Sequence, residues 1–350
     1  MDFKKVINFL NANKVIIVFV LFFVGLITLI FILGFLSPRS RLKEDRSLGD
    51  IKTPSETYNT VPSLEGVDIF VGRDAFIKKW SERNKTFKVL DLASVVDIEA
   101  VANKFDISDR GTDDFFEEWV GDYGNLYVYD ESIRVEVSQS NIFWDTSKLV
   151  INNSPQKNKY VDEAVEDIFG YSFPETEYVI RKSKSIEGLD ILVVEGVLKL
   201  DDNTVVYDGW SDVFVSITLY ENGMVKWLKI NRFVPDTENS GVYAGYTYNE
   251  LIESLRLGDI DSKIFRTRID LSKSATYSSE GSDSYLVEID YSSLNIDVIT
   301  IRSLSMMYFV DKDEMVVVPM INIIGDVNVS KSGGIESGWY QIEIWYANVK

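Results

Sequence analysis

Residues 213–231 read VFVSITLYENGMVKWLKIN and contain the clearest hairpin pattern in the chain. Two runs rich in β-branched and aromatic residues, 213–220 and 224–231, flank the pair Asn222-Gly223. Asn-Gly is a preferred pair in tight β-turns because both residues tolerate a positive φ angle. The segment therefore predicts an antiparallel hairpin, and further strands are expected on both sides of it.

Short runs of the same composition recur along the chain and predict the other strands. They are residues 126–130, 133–137, 142–145, 177–182, 190–199, 204–207, 285–291, 298–301, 306–310, 315–324 and 339–346. Asp201-Asp202-Asn203 and residues 311–314 are polar and predict turns between neighbouring strands.

Three segments carry apolar residues at positions i, i+3, i+4 and i+7, which is typical of one face of an amphipathic helix. They are residues 97–105, 159–169 and 247–257. In the third, Thr247 and Glu250 have the spacing of a capping box, in which each side chain accepts from the backbone N–H of the other residue. Each predicted helix is followed by predicted strands.

This order of elements predicts an α+β fold in which tandem modules, each a short helix packed on antiparallel β-sheets, follow an N-terminal transmembrane helix. The modules are expected at residues 67–150, 151–240 and 241–350. Residues 37–66, which contain three prolines and several Ser and Thr residues, are expected to form a linker.

Residues 15–36 contain no charge and consist almost entirely of Val, Ile, Leu and Phe. A helix of that length would span about 33 Å at about 1.5 Å per residue, enough for a bilayer core of about 30 Å. The stretch predicts a permanent single-pass anchor with residues 1–14 as a short cytoplasmic tail. The expected location is the cell membrane with the C-terminal domain outside the cytoplasm; a cytoplasmic C-terminal domain is the alternative, because basic residues flank both ends.

The composition excludes several kinds of chemistry. The chain has no cysteine and no histidine, so disulfides, a thiolate nucleophile, Cys/His zinc sites and a Ser-His-Asp triad are all excluded. The formal net charge of −19 repels phosphate backbones, so no nucleic-acid partner is expected. No cofactor and no catalytic residue is predicted.

Two features resemble known families. A short helix followed by strands with Gly188, Gly196 and Asn222-Gly223 at their turns is similar to PepSY-like exported modules. The stretch VVVPMINIIGDV, residues 316–327, resembles the closing strand of YycH/YycI-type proteins. Those are bacterial single-anchor proteins whose outer domains regulate a sensor histidine kinase. The resemblance implies the architecture and a regulatory or interaction role, and it implies no functional residue.

An acidic loop at residues 106–117 is a candidate calcium site. Asp106, Ser108, Asp114 and Glu117 match positions 1, 3, 9 and 12 of an EF-hand loop, and Gly111 matches position 6. The loop departs from the pattern at Arg110 and at Asp113, and the favoured interpretation is a solvated acidic turn.

Paired carboxylates and aromatic residues supply two further candidates. The pairs Glu117-Glu118, Asp113-Asp114 and Asp201-Asp202 could serve a hydrolase, although adjacent side chains on a strand point to opposite faces. A set of aromatic residues could stack on a sugar, although the favoured interpretation is that most of them are core or cross-strand pairs: Trp210, Tyr220, Trp227, Trp339, Trp345 and Tyr346.

The function expected from the sequence is therefore regulation or scaffolding by protein–protein contact. The expected partners are the membrane, through the single helix, and another envelope or membrane protein. An envelope hydrolase that uses paired carboxylates, and a calcium-dependent or sugar-binding surface module, are the alternatives.

Overall fold

The structure is a computed structural model. All of the residues that it describes belong to one compact unit, Glu44–Lys350. They are residues 48, 64, 66–78, 80, 82–111, 116–207, 211–257, 264–270, 294–330 and 337–348.

The described residues contain seventeen strands, which are connected through their pairing. Their bounds are β1 Asp68–Ile77, β2 Arg83–Asp91, β3 Asp109–Arg110, β4 Glu117–Gly121, β5 Gly124–Val128, β6 Ser132–Val137, β7 Gln156–Lys157, β8 Thr176–Lys184, β9 Asp190–Leu200, β10 Asn203–Val206, β11 Val215–Tyr220, β12 Val225–Asn231, β13 Phe233–Ala244, β14 Ile264–Asp270, β15 Asn295–Asp311, β16 Val316–Ser330 and β17 Gly338–Ala347.

Four α-helices accompany these strands in the described chain. They are α1 Leu92–Val95, α2 Ile98–Lys104, α3 Lys159–Phe169 and α4 Tyr248–Leu257. The last three lie where the apolar stripes predict helices, so those three predictions are confirmed.

Nine strands form what we call the antiparallel sheet, in the order β3-β4-β5-β6-β12-β11-β9-β8-β7. The predicted hairpin is at the centre of this sheet: β11 and β12 pair with each other, β11 also pairs with β9, and β12 also pairs with β6. Alternate residues of these strands are fully buried, as Ile217 and Leu228 are. Their neighbours Ser216 and Lys229 are half-buried on the opposite face, which we call the open face.

The other eight strands form what we call the mixed sheet, built around the long hairpin of β15 and β16. β17 and then β14 continue the sheet on one side of β16. β1 and β10 lie parallel to β15 near its two ends, and β2 and β13 extend from the start of β16. The β9–β10 hairpin joins the two sheets.

Helices α2 and α3 share one hydrophobic core with the antiparallel sheet. α3 buries Val161, Val165 and Ile168 in this core, which includes Ile180 and Val194 from the sheet. Burial of such a side chain stabilises the fold by about 1.5–3 kcal/mol. Because the helices and this core cover one face, the open face is left for other contacts.

The capping box predicted at the start of α4 is confirmed. The Thr247 backbone N–H donates to Glu250 Oε2 at 2.8 Å, and the Glu250 N–H donates to Thr247 Oγ1 at 3.2 Å. The helix then packs Leu251 and Leu255 into a second core with the mixed sheet. These reciprocal bonds satisfy two N–H groups that the first turn would otherwise leave unpaired.

The hairpin at Asn222-Gly223 is present, but only Gly223 has a positive φ, at 86°. The pairing of β11 and β12 shifts between Thr218 and Leu219, so the connection is not the two-residue turn that Asn-Gly favours. Both central residues have a positive φ instead in the turn between β9 and β10, at Asp201 (47°) and Asp202 (62°). Aspartate tolerates this conformation better than most residues.

The predicted fold class is wrong. The structure is 58% strand and 14% helix, and its strands form one mixed network rather than an α+β series of short helices on antiparallel sheets behind a transmembrane helix. Local patterns located ten of the seventeen described strands and missed β1, β2, β3, β4, β7, β13 and β14, while the strand predicted at 142–145 is only an isolated bridge at Phe143. Pro235 and the polar residues that follow it conceal β13, although Pro235 lies opposite Val89 in the sheet.

The predicted location at the cell membrane is also corrected. Within the residues that the structure describes, no helix is both long enough and apolar enough to cross a bilayer. The predicted span at 15–36 lies outside the described residues. The described residues therefore give no support to the predicted single-pass anchor, and the membrane as a partner stays a prediction.

The division into modules at 67–150, 151–240 and 241–350 stays a prediction. Strand pairing crosses its boundaries: β2, from the first segment, pairs with β13, which spans the second boundary, and with β16 in the third.

Gly223→Ala should destabilise the protein by at least about 2 kcal/mol, since an L-residue pays about 1–2 kcal/mol for left-handed backbone and a clash adds to that. A Cβ at this position would lie 2.0 Å from the Trp144 carbonyl oxygen. Urea unfolding measures the change. Gly188→Ala is the matched control, because Gly188 also has a positive φ but open space around it. Equal losses in the two variants would contradict the proposed clash.

Candidate functional site

A groove of about 780 Å³ lies on the open face of the antiparallel sheet. Its floor comes from β6, β11 and β12, with Glu195 of β9 at one side. Phe116 and Tyr129 form part of the wall next to β5, and Lys312 reaches the groove from the β15–β16 turn. Binding sites for small molecules and peptide side chains commonly have volumes of about 300–1,000 Å³. The groove therefore has the size of a ligand site.

The floor of the groove is one row of cross-strand partners. Glu195 lies opposite Ser216, Ser216 opposite Lys229, Lys229 opposite Arg134, and Arg134 opposite Tyr127. Cross-strand partners share a face of the sheet, with Cβ atoms about 4.5–5.5 Å apart. Two cations therefore stand side by side at the centre of the row.

These two cations differ in their contacts. Arg134 lies over the Tyr129 ring, 4.7 Å from its centroid, and Arg134 Nε donates to Ser132 Oγ at 3.3 Å. Lys229 has neither a hydrogen bond nor an ion pair to any residue in the described part of the chain. Like charges in opposite positions destabilise a sheet. The stability of the fold therefore does not explain why Lys229 and Arg134 occupy opposite positions.

Electrostatics at Lys229 agree with that geometry. Burial lowers the pKa of the Lys229 ammonium, and the nearby Arg134 guanidinium lowers it further, while Glu131 acts in the opposite direction. An anion placed between Lys229 and Arg134 would relieve both the loss of solvation and the repulsion. The pair therefore has the charge and the partial burial that favour binding of a negative group.

Aromatic rings flank the cations. The Phe116 and Tyr129 ring centroids are 5.2 Å apart, and the Tyr127 and Tyr129 rings stack at 5.7 Å. Trp227 lines the groove two residues before Lys229 on β12 and is half-buried. Such rings offer apolar area next to the charged floor.

Two carboxylates of the groove are already paired. Arg181 Nη2 lies 2.5 Å from Glu195 Oε2, and Lys312 pairs with Glu131. Asp130 also lines the groove and is exposed. The positive part of the floor is consequently bounded by negative groups and is narrow.

Tyr207 adds a buried polar group to the wall. It is 7% exposed, and its hydroxyl has no hydrogen-bond partner among the described residues. Burial raises the pKa of this hydroxyl, so it stays protonated near neutral pH.

The calcium candidates do not come together in the described structure. Asp106 has a positive φ of 57° and accepts a hydrogen bond from Asn141, and Ser108 donates to Asp109. Glu117 begins β4 and lies 3.1 Å from Arg110. Asp114 lies outside the described residues, within which no group of acidic side chains is arranged to hold a metal. The calcium site stays a prediction.

The paired carboxylates are separated. Glu117 and Glu118 are adjacent on β4, Asp201 and Asp202 occupy the β9–β10 turn, and residues 113–114 lie outside the described chain. None of the described members lines the groove.

The predicted aromatic set is scattered as well. Trp227 lines the groove, whereas Trp345 and Tyr346 are buried in two different cores. Trp339 is 57% exposed on β17, and Trp210 lies outside the described residues. One platform made of all six is not formed by the described members.

Sequence reasoning missed Arg134 and Lys229. The signal was present in the stretch KWLKIN, residues 226–231, where Trp227 and Lys229 alternate with the buried Leu228 and Ile230. Alternation shows which side chains share a face, but the position of β6 beside β12 cannot be read from it.

Comparison with protein-family models and with curated proteins gives no match to this chain. The similarity to PepSY-like and YycH/YycI-type proteins therefore stays an expectation.

Lys229→Gln should leave the protein as stable or raise its free energy of unfolding by up to about 1 kcal/mol at pH 7, because it removes a like-charge cross-strand pair. The pKa of Lys229 is lower in the folded state than its ordinary value of 10.5. At pH values between the folded-state pKa and the unfolded-state pKa of Lys229, the unfolded chain binds more protons, so the free energy of unfolding rises with pH. The advantage of Lys229→Gln should thus shrink in alkaline solution.

Urea unfolding of both proteins at pH 7 and at pH 10 measures this. Lys199→Gln is the control, because Lys199 Nζ lies 3.3 Å from Glu177 and 3.0 Å from Thr204, and its loss should destabilise. A clear loss of stability in Lys229→Gln would show that Lys229 has a structural role.

Proposed function

We propose that this protein works by contact rather than by catalysis, as a regulatory or scaffolding protein that receives a segment of a partner protein in the groove. The single observation that carries the proposal is the half-buried Lys229, which faces Arg134 on the open face and has no partner among the described residues. A residue that costs stability at a concave site is expected where binding requires it.

The surroundings of Lys229 support a protein partner. Aromatic residues and arginine are enriched at the centres of protein interfaces, and the groove contains Trp227, Tyr129, Phe116 and Arg134 together. Its floor is a central part of a nine-stranded sheet whose other face is packed on a core. A rigid floor of this kind loses little freedom when a partner binds.

A photoreactive residue can test the proposal in the full chain. p-Benzoylphenylalanine placed at Ser216, in the floor of the groove, should give a crosslinked adduct of defined mass in cells of the source organism. The control position is Ser183, which is exposed on β8 outside the groove and whose cross-strand partner is Ile191. The Ser183 variant should not give that adduct.

Mass spectrometry of the adduct identifies the partner, which is then purified. The proposal expects that Trp227→Ala weakens binding of this partner at least tenfold in a calorimetric titration. If Ser216 gives no adduct, if Ser183 gives the same adduct, or if Trp227→Ala binds as well as the unaltered protein, the proposal is wrong.

A further inference from the structure

The groove also indicates the chemistry of the segment that it binds, provided that the proposed function holds. Lys312 in the groove pairs with Glu131, so the positive part of the floor consists of Arg134 and Lys229, on neighbouring strands. Glu195 lies two strands from Lys229, about 10 Å away at about 4.8 Å per strand, and Glu131 is close enough to act on the charge of Lys229. The positive part therefore has room for one small anionic group.

The two cations suit a carboxylate. The Arg134 guanidinium is held over the Tyr129 ring and by Ser132, so its plane is fixed before a ligand arrives. Arginine can bind both oxygens of a carboxylate, and the Lys229 ammonium can add a third donor. A charge-assisted bond of this kind is about twice as strong as a neutral one.

Ligands with several negative charges fit less well. A polyphosphate or a run of acidic residues would extend from Arg134 and Lys229 to Glu131 or Glu195, where the nearby cations are already paired with these carboxylates and cannot compensate further negative charge. The volume of the groove, about 780 Å³, is also far more than a free carboxylate or phosphate needs. The remaining space is lined by rings, including Trp227.

We propose that Arg134 and Lys229 together bind the side-chain carboxylate of a single aspartate or glutamate in the partner segment, while an apolar residue next to it packs on Trp227. The acidic residue gives the site its selectivity, because a neutral amide at the same place would leave the two cations uncompensated. The apolar neighbour contributes by burying the indole ring.

The test uses the full chain labelled with 5-fluorotryptophan, with the fluorine signal of Trp227 assigned through Trp227→Phe. The probes are N-acetyl-Glu-Phe-amide, N-acetyl-Gln-Phe-amide and inorganic phosphate, each titrated at constant ionic strength. The glutamate probe should shift the Trp227 signal saturably, and the glutamine probe should bind at least tenfold more weakly. Phosphate should bind more weakly than the glutamate probe.

Variants locate the effect. Lys229→Gln and Arg134→Gln should each abolish the preference for the glutamate probe. Lys226→Gln is the matched control: Lys226 is on the same strand but outside the groove, with Glu187 as its partner at 3.4 Å. This variant should keep the preference. Urea unfolding of each variant confirms that it is folded.

Equal binding of the two dipeptide probes, tighter binding of phosphate, or a preference that survives Lys229→Gln would each overturn the inference. None of these results would affect the proposed function if Ser216 still gives its adduct and Trp227→Ala still weakens the partner. Conversely, loss of the adduct would reject the proposed function even if the glutamate probe binds.

Discussion

The ion pair between Arg232 and Asp91 holds the two sheets together where the groove begins. Arg232 Nε and Nη2 donate to the two Asp91 carboxylate oxygens, each at 2.6 Å, and the side chains are 25% and 22% exposed. Arg232 is the residue at which the chain passes from β12 in the antiparallel sheet to β13 in the mixed sheet, and Asp91 ends β2 and caps α1. The Arg232 carbonyl accepts from the Leu92 N–H, and its own N–H donates to the Glu131 carbonyl. Glu131 and Phe233 line the groove, so Arg232 connects the junction of the two sheets to its wall.

Arg232 and Lys229 are close in sequence but differ in their contacts. Arg232 donates two hydrogen bonds to the Asp91 carboxylate, and these bonds are the main reason that the pKa of Arg232 is raised. Lys229, three residues earlier in the chain, has no carboxylate partner among the described residues and lies opposite another cation. Most other cations of the antiparallel sheet follow the first pattern: Arg181 pairs with Glu195, and Lys199 with Glu177. Acidic residues outnumber basic ones in this chain, 55 to 36, so a shortage of carboxylates does not explain why Lys229 lacks one among the described residues.

Local sequence patterns located the three longer helices and many of the strands but did not show how the strands pair. The stripes at 97–105, 159–169 and 247–257 are helices because their spacing is a local property, and the capping box at Thr247 and Glu250 follows from two residues alone. The pairing of β2 with β13 and β16 joins residues more than a hundred positions apart, and no local pattern contains that information. For the same reason the candidate site was missed: Lys229 was visible as one polar residue of a hairpin, whereas its significance comes from Arg134, almost a hundred residues earlier. The acidic pairs drew attention only because acidic residues are abundant.

The net charge of −19 implies that the selectivity we propose for this groove has to be local. At a distance, an acidic partner meets a repulsive field, so its approach is not accelerated by electrostatic steering. Screening limits that field to about 8 Å at physiological salt, so only the charges of the groove itself act on a bound segment. A segment with one acidic residue and an apolar neighbour experiences little repulsion as it approaches and makes both contacts once it is bound. A strongly acidic segment is repelled along its whole length and can place only one carboxylate between the cations. The site therefore favours the sparsely charged segment.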